Sequence, residues 1–564
     1  MILQIHFRSV AAMLCVSAFF VMLPSSFVGA QAPSVPPKAA TAGSYTISGT
    51  VVSAATGTPI AQARVTLIDT DNSRNAASLL THEDGRFAFH QLAARKYSLE
   101  GSRRGYLTSA YLQHEQFWSA IVTGEEFETQ DLVLRLMPAA VLSGRVLDER
   151  GESVRGAQVK LYMEEHTNGM SRVMPAGDTQ TNDLGVFEFL SLSPGKYFAA
   201  VSATPWYAVH PPSASGATAT PTVPLPAVDK TLDVAYPTTY YGGTTASDEA
   251  SPILIKGGDR EEIEINLAPV ESLHLFFHVP EEGQQQGFQV PILEKHVFDS
   301  VDYIPIEGVN PVSPGVMEMT GVPAGKYIVR IPAAQGQATK FTEADVRSDG
   351  QELETNKAES AASMRLVVHL PNGEPIPKQL VLGLQDERQQ IAAINPVNAD
   401  GQVAFDELTA GSYKIVATRT PEKAYTVGRI LTENRQPVGP FVNVTEGAEL
   451  NLTVTLVEGV ASLEGLVKRG DKPASGVMVV LIPANPELQQ DLFRRDQTNS
   501  DGSFSLPDII PGSYTVAAIE DAWDFDWSQP SALARYAQNG QPVSITAGRP
   551  GTIRLHDPIQ VQPR

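Results

Sequence analysis

The sequence predicts an all-β protein, a tandem array of about five two-sheet sandwiches behind an export signal. Three observations predict it. A Tyr follows a turn Gly by twelve residues five times: Gly85 to Tyr97, Gly185 to Tyr197, Gly315 to Tyr327, Gly401 to Tyr413 and Gly502 to Tyr514. Apolar residues alternate at period two inside each copy, which describes strands with one buried face. Similar short strands flank every copy at similar offsets, giving units of about 100 residues.

The first residues predict export. "MILQIHFR" is a short basic head, Val10 to Leu23 is an apolar run of 14 residues, and "VGA" ahead of Gln31 offers a cleavage point near Ala30. The run is too short for a membrane span and reads as a signal peptide over 1–30, followed by a linker over 31–43. The one cysteine, Cys15, lies inside that signal, behind Leu14, a poor neighbour for lipid attachment. The mature chain therefore has no thiol for a disulfide, a metal or a nucleophile, and apolar cores must hold it together. A formal charge of −21, spread along the chain, argues against nucleic acid and anionic membranes as partners. No second run of about 20 apolar residues occurs, so no transmembrane span is expected.

Aligned on the turn Gly, the copies agree well past the Tyr. Two and four residues on stand Phe87 and Phe89, Phe187 and Phe189, Met317 and Met319, Val403 and Phe405, and Phe504 and Leu506. Seven on stand Leu92, Leu192, Val322, Leu408 and Ile509, and ten on is Gly in four copies, with Arg95 the exception. The turn Gly supplies the positive φ of a tight hairpin. The Pro-Gly-x-Tyr stretch reads as a corner between sheets, with the ring in the core and the hydroxyl returning to nearby backbone, as in immunoglobulin-like sandwiches.

Opening strands are "TISGTVV", "VLSGRVL", "LHLFFHV", "MRLVVHL" and "SLEGLVK", and closing strands include "LVLRLMP", "IEINLAP", "LTVTLVE" and "TIRLHDP". They delimit sandwiches over 44–138, 139–269 (with an excursion over 204–250), 270–358, 359–458 and 459–564, the third and fourth degenerate. Several closing strands run almost directly into the next opening strand, which predicts an extended string of domains with little flexing between neighbours.

Ser48-Gly49, Ser143-Gly144 and Glu464-Gly465 open three of the units, and "GTPIAQARVTL", "GESVRGAQVKL" and "DKPASGVMVVL" follow them. With the turn and the Pro-Gly-x-Tyr corner, these units resemble the carboxypeptidase regulatory-like domain, a transthyretin- or prealbumin-like sandwich also grouped with starch-binding-like folds. The resemblance is close for the first, second and fifth units and degraded for the third and fourth, which lack the opening Gly. It implies an array of immunoglobulin/transthyretin-like accessory or binding modules with no catalytic residues, since the family's zinc peptidase is a separate domain.

The residues themselves give no enzyme. "HVPE" offers His278 and Glu281, with His369 downstream, but the two histidines occupy equivalent strand ends of separate units. His274 and His278 share a strand face about 13 Å apart, too far for one ion. There is no Gly-x-Ser-x-Gly elbow, Gly-x-Gly-x-x-Gly or phosphate loop. The acidic turns supply too few oxygens for a calcium loop, and Asp521, Asp524 and Asp526 are the nearest approach to one. A Lys–Asn crosslink needs a Lys in an early strand, and the opening strands of the first, second and fourth units have none. No cofactor and no metal is expected.

Binding residues are sought instead in the excursions that follow each Tyr strand, where all four tryptophans fall: Trp118, Trp206, Trp523 and Trp527, with Tyr207 beside Trp206. Each Trp either clamps its own excursion onto the sandwich or stacks a sugar ring. The reading is thus a non-enzymatic exported binding or scaffold protein, periplasmic, cell-surface or extracellular, whose partner is a glycan or another envelope component. The alternative is a structural spacer or assembly and adhesion subunit with protein partners.

Overall fold

The computed structural model describes residues 43–564 except 168–169, 213–228, 280–289, 333–337, 356–357, 388–389, 419, 421–422, 526–529 and 548–550. The expected signal over 1–30 and all of the linker but Gly43 lie outside the described residues. Among the described residues no helix is long and apolar enough to cross a membrane.

Five apolar cores follow one another along the chain. They are built around Ile47, Val65, Phe87, Leu99 and Leu134; around Leu142, Val159, Phe187 and Ile263; around Leu275, Phe277, Met319 and Val329; around Leu366, Leu382, Phe405 and Val454; and around Leu463, Val479, Phe504 and Val516. Each lies between two sheets, as a strand with one apolar face requires. In the first sandwich the opening strand Tyr45–Ser53 pairs antiparallel with Arg86–Leu92 and parallel with the closing strand Leu132–Leu136. The facing sheet carries Arg64–Asp69 between Asn72–Leu80 and Lys96–Ser102. The same pairing, with parallel closure, recurs for Ala140–Leu147, Leu273–His278, Ala362–His369 and Ala461–Arg469. In the fifth sandwich Ile559–Gln562 pairs with both Ala461–Arg469 and Gly512–Ile519, stitching the two sheets into one path.

The turn glycines have φ of +74°, +69°, +77°, +78° and +76°, as their position predicts. Among the described residues, however, the expected hairpin forms only in the third unit, where Gly308–Ser313 pairs with Val316–Val322. In the first sandwich Asn72–Leu80 lies in one sheet and Arg86–Leu92 in the other, so the turn crosses between sheets. The turn is docked on the opening strand in all five units: the carbonyls of Gly85, Gly185, Gly315, Gly401 and Gly502 accept the N–H of Val51, Val146, Val279, Val368 and Val467. A Cβ on Gly502 would stand 2.4 Å from the Val467 oxygen.

The Tyr corner is present in every copy. Tyr97, Tyr197, Tyr327, Tyr413 and Tyr514 are buried, and each hydroxyl donates to the carbonyl four residues back, at 3.2, 2.9, 2.6, 2.9 and 2.7 Å. A second conserved geometry was invisible in the apolar pattern. Six residues after each turn Gly stands a left-handed residue: Gln91, Ser191, Gly321, Glu407 and Asp508, with φ between 56° and 83°. Each sits where the register with the opening strand slips, as between Tyr45 and Ile47, so a β-bulge precedes every Tyr corner.

The extended string does not hold. The loop Leu112–Val122 of the first sandwich lies on the fifth, joined by Ser119 Oγ donating to the Thr498 carbonyl at 2.7 Å and Ser500 N–H donating to the Ala120 carbonyl at 2.9 Å. Short linkers restrict neighbours, but they say nothing about partners some 380 residues apart in sequence, so the sequence could not reveal this contact.

Candidate binding surface on the second sandwich

The four tryptophans occupy different settings. Trp206 is 80% exposed, Trp118 is about half exposed, Trp523 is buried, and Trp527 lies outside the described residues. Trp523 stacks on His114 with ring centroids 4.9 Å apart and planes within 6°, and meets Phe117 at 5.6 Å. Its Nε1–H donates to the Gly476 carbonyl at 3.4 Å. The expected stacking platform at Trp523 is thereby committed to the chain itself, because the loop of the first sandwich covers it and the ring is buried.

Trp206 is placed quite differently. The chain leaves strand Gly195–Ser202, buries Pro205 and turns, with Ala208 N–H donating to the Pro205 carbonyl at 3.0 Å. Val209 N–H then ties the segment to the Leu232 carbonyl at 2.9 Å. This fixes the backbone while the indole projects into solvent. Tyr207 meets Trp206 edge-on, with centroids 5.7 Å apart and planes at 87°.

Tyr207 is held in turn by Glu149. Its hydroxyl donates to Oε1 at 2.5 Å, and Tyr236 donates to Oε2 at 2.8 Å. Glu149 sits in a turn locked by the Asp148 carboxylate, which accepts from the N–H groups of Arg150 and Glu152 at 2.9 and 2.7 Å. Arg150 places its guanidinium carbon 5.7 Å from the Tyr207 ring centre. Partial burial works against ionisation of Glu149, but the two phenol hydrogen bonds and Arg150 outweigh it and hold the carboxyl below its ordinary range. Burial, together with the Glu149 hydrogen bond and charge, pushes the Tyr207 phenol up to about 12 and the Tyr236 phenol up as well. At neutral pH the surface therefore combines an open aromatic plate, a fixed carboxylate, two phenols and a guanidinium.

A second polar cluster escaped sequence reading. His210 Nδ1 lies 2.8 Å from Asp233 Oδ1, Asp233 Oδ2 lies 2.7 Å from His274 Nε2, and His274 Nδ1 lies 2.6 Å from Glu318 Oε1. The chain of four joins the excursion of the second sandwich to the core of the third, where Glu318 is fully buried. Burial opposes the imidazolium at His274, yet the hydrogen bonds and charges of Glu318 and Asp233 raise its pKa above the ordinary value. His278, its neighbour on the strand, stands apart, about half exposed, with Glu352 at 3.0 Å. Among the described residues no group of three or more His, Cys, Asp or Glu is arranged to hold a metal ion. A buried Glu inside "VMEMTGV" is the signal that could have exposed the cluster, because a buried carboxylate demands a partner.

Comparison with known proteins gives a family match for two segments of the chain. Residues 46–135 match the model of the carboxypeptidase regulatory-like domain, and residues 458–541 match that of the second beta sandwich domain of a BOS complex subunit NOMO1-like protein. No curated protein matches the chain. Solved structures similar to it include the Bacillus anthracis TIE protein, at 11% identity over 73% of this chain and 74% of that one, with a TM-score of 0.17. A Streptococcal ancillary pilin is 11% identical over 50% of this chain and 98% of its own, with a TM-score of 0.18. GBS52, the minor pilin of Streptococcus agalactiae, is 12% identical over 40% and 97%, with a TM-score of 0.20.

Proposed function

We propose, for a chain that carries a carboxypeptidase regulatory-like domain over residues 46–135, a non-enzymatic role as an exported multidomain scaffold that binds a glycan on its second sandwich. The observation that carries the ligand reading is Trp206, 80% exposed on a backbone that its own turn and Val209 hold in place. A surface indole with that exposure leaves apolar area in water that a pyranose face would cover. Glu149 and Arg150, anchored beside Tyr207, supply an acceptor and donors for sugar hydroxyls. An indole 80% exposed suits one or two sugar rings of a polymer rather than an enclosed small molecule.

The test is retention of the protein on a panel of immobilised envelope and plant polysaccharides, with quenching of Trp fluorescence by the soluble form. Trp206→Ala is expected to lose retention, while Trp523→Ala keeps it. A panel that retains neither the native protein nor any variant sinks the glycan reading and leaves the scaffold role with protein partners.

A further inference from the structure

The first and last sandwiches recognise each other, and we infer that they do so between copies of this chain as well as within one. This goes beyond the glycan reading and rests on a different surface.

The contact is built from two unlike halves. The first sandwich contributes the loop Leu112–Val122, which turns tightly where His114 and Phe117 exchange backbone hydrogen bonds of 2.8 Å. The fifth contributes strand Arg494–Gln497, the turn after it, and Trp523. Gln497, only 1% exposed, donates to the Leu112 carbonyl at 2.5 Å and to Ser119 Oγ at 2.9 Å, and its Oε1 lies 2.9 Å from His114 Nδ1. Asn499 Oδ1 accepts from Ala120 N–H at 3.0 Å, and Ser500 Oγ accepts from Val122 N–H at 2.8 Å. Arg495 pairs with Glu115 at 2.8 Å and lies over the Phe117 ring at 5.2 Å. Gln497 and Ser119, both buried, make their side-chain hydrogen bonds across this joint, which marks it as a specific interface rather than an incidental touch.

Opening the joint would leave Trp523 and Phe117 in water and Gln497 without its partners. The same groups on a second copy offer the identical match. Because the halves differ, pairing between copies is heterologous: two chains that exchange loops close into a dimer with both joints made, and chains that do not close grow head to tail. Within one chain the two halves are already linked, so closed monomers prevail when dilute and exchange is selected by crowding or tethering.

Charge reversal tests this with the full chain. Glu115→Arg sets two arginines against each other within one chain, and Arg495→Glu sets two glutamates. Mixed, each loop meets a face of opposite charge on the other chain. Analytical ultracentrifugation is expected to show each variant largely monomeric at about 50 μM, the equimolar mixture at twice the monomer mass, and the double variant monomeric again. A second pair removes charge from the question: Trp523→Ala keeps a good loop, Phe117→Ala keeps a good face, and their mixture is expected to form a one-to-one dimer. Mixtures that stay monomeric in both pairs overturn the inference.

Discussion

The hydroxyl of Tyr514 donates to the carbonyl of Ile510 at 2.7 Å, and the bond is buried in the fifth sandwich. Its four counterparts make the same bond over the same four residues. The repeat interval of the sequence is therefore the length of one bulged strand plus one corner. Tyr514→Phe removes the donor and strands a buried carbonyl, so chemical denaturation should show the fifth sandwich destabilised by about 1–2 kcal/mol. Tyr303→Phe, at a 63% exposed position, should change stability by no more than about 0.5 kcal/mol.

The bulge ahead of each corner gives an opposite pair of effects. Ser191 holds φ at +59°, a conformation that costs a side chain about 1 kcal/mol and costs Gly little. Ser191→Gly should therefore leave the second sandwich unchanged or stabilise it by up to about 1 kcal/mol. Gly321 has φ of +83°, and a Cβ there would stand 2.6 Å from Glu307 Cγ. Gly321→Ala should destabilise the third sandwich by roughly 1–3 kcal/mol. Thermal unfolding of the two variants checks the contrast.

His274 makes the joint between the second and third sandwiches pH-dependent. Its folded pKa lies above the ordinary 6.5, so its contribution is fully present below that value and is lost as pH rises through the folded value. The groups facing it are Asp233, Glu318 and, through Asp233, His210, with Asp349 accepting its backbone N–H at 2.9 Å. Deprotonation leaves two carboxylates around a neutral ring. The melting temperature should fall as pH climbs from 6 towards 9, and His274→Asn should flatten that part of the profile.

Asp496 shows the opposite charge with a comparable outcome. Burial, opposed by backbone N–H donors at Ser505 and Gln497 and by Lys96, pushes its carboxyl up to about 6. A carboxyl raised in the folded state stabilises most below the unfolded value of about 3.8 and loses that contribution as pH rises through about 6. Asp496→Asn keeps an acceptor for Ser505 N–H and removes the charge. It should raise the melting temperature at pH 8 and leave it nearly unchanged at pH 4.

What the sequence disclosed follows from what repeats. Period-two apolar pairs such as Phe87 and Phe89, the turn glycines and the corner tyrosines recur five times, and each imposes its geometry through residues close in sequence. The bulge at Gln91 and its counterparts went unseen because five different residue types hold one backbone conformation. The His210–Asp233–His274–Glu318 chain and the joint at Gln497 depend on partners far apart in sequence: Glu318 inside an apolar strand signals that a partner exists without saying which, and no local pattern points to the joint. For the tryptophans, position in an excursion was legible and exposure was not. Trp523 is covered by a loop from the opposite end of the chain, whereas Trp206 meets Tyr207 edge-on and stays 80% exposed.

The claim that the second sandwich carries the ligand surface is tested most directly by NMR titration of the indole N–H resonances with soluble oligosaccharides drawn from whichever polysaccharide retains the protein. Trp206 should shift and saturate, with Trp523 unmoved, and Trp206→Ala should abolish the saturable response. Saturable shifts confined to another indole, or binding undiminished in Trp206→Ala, would contradict the account.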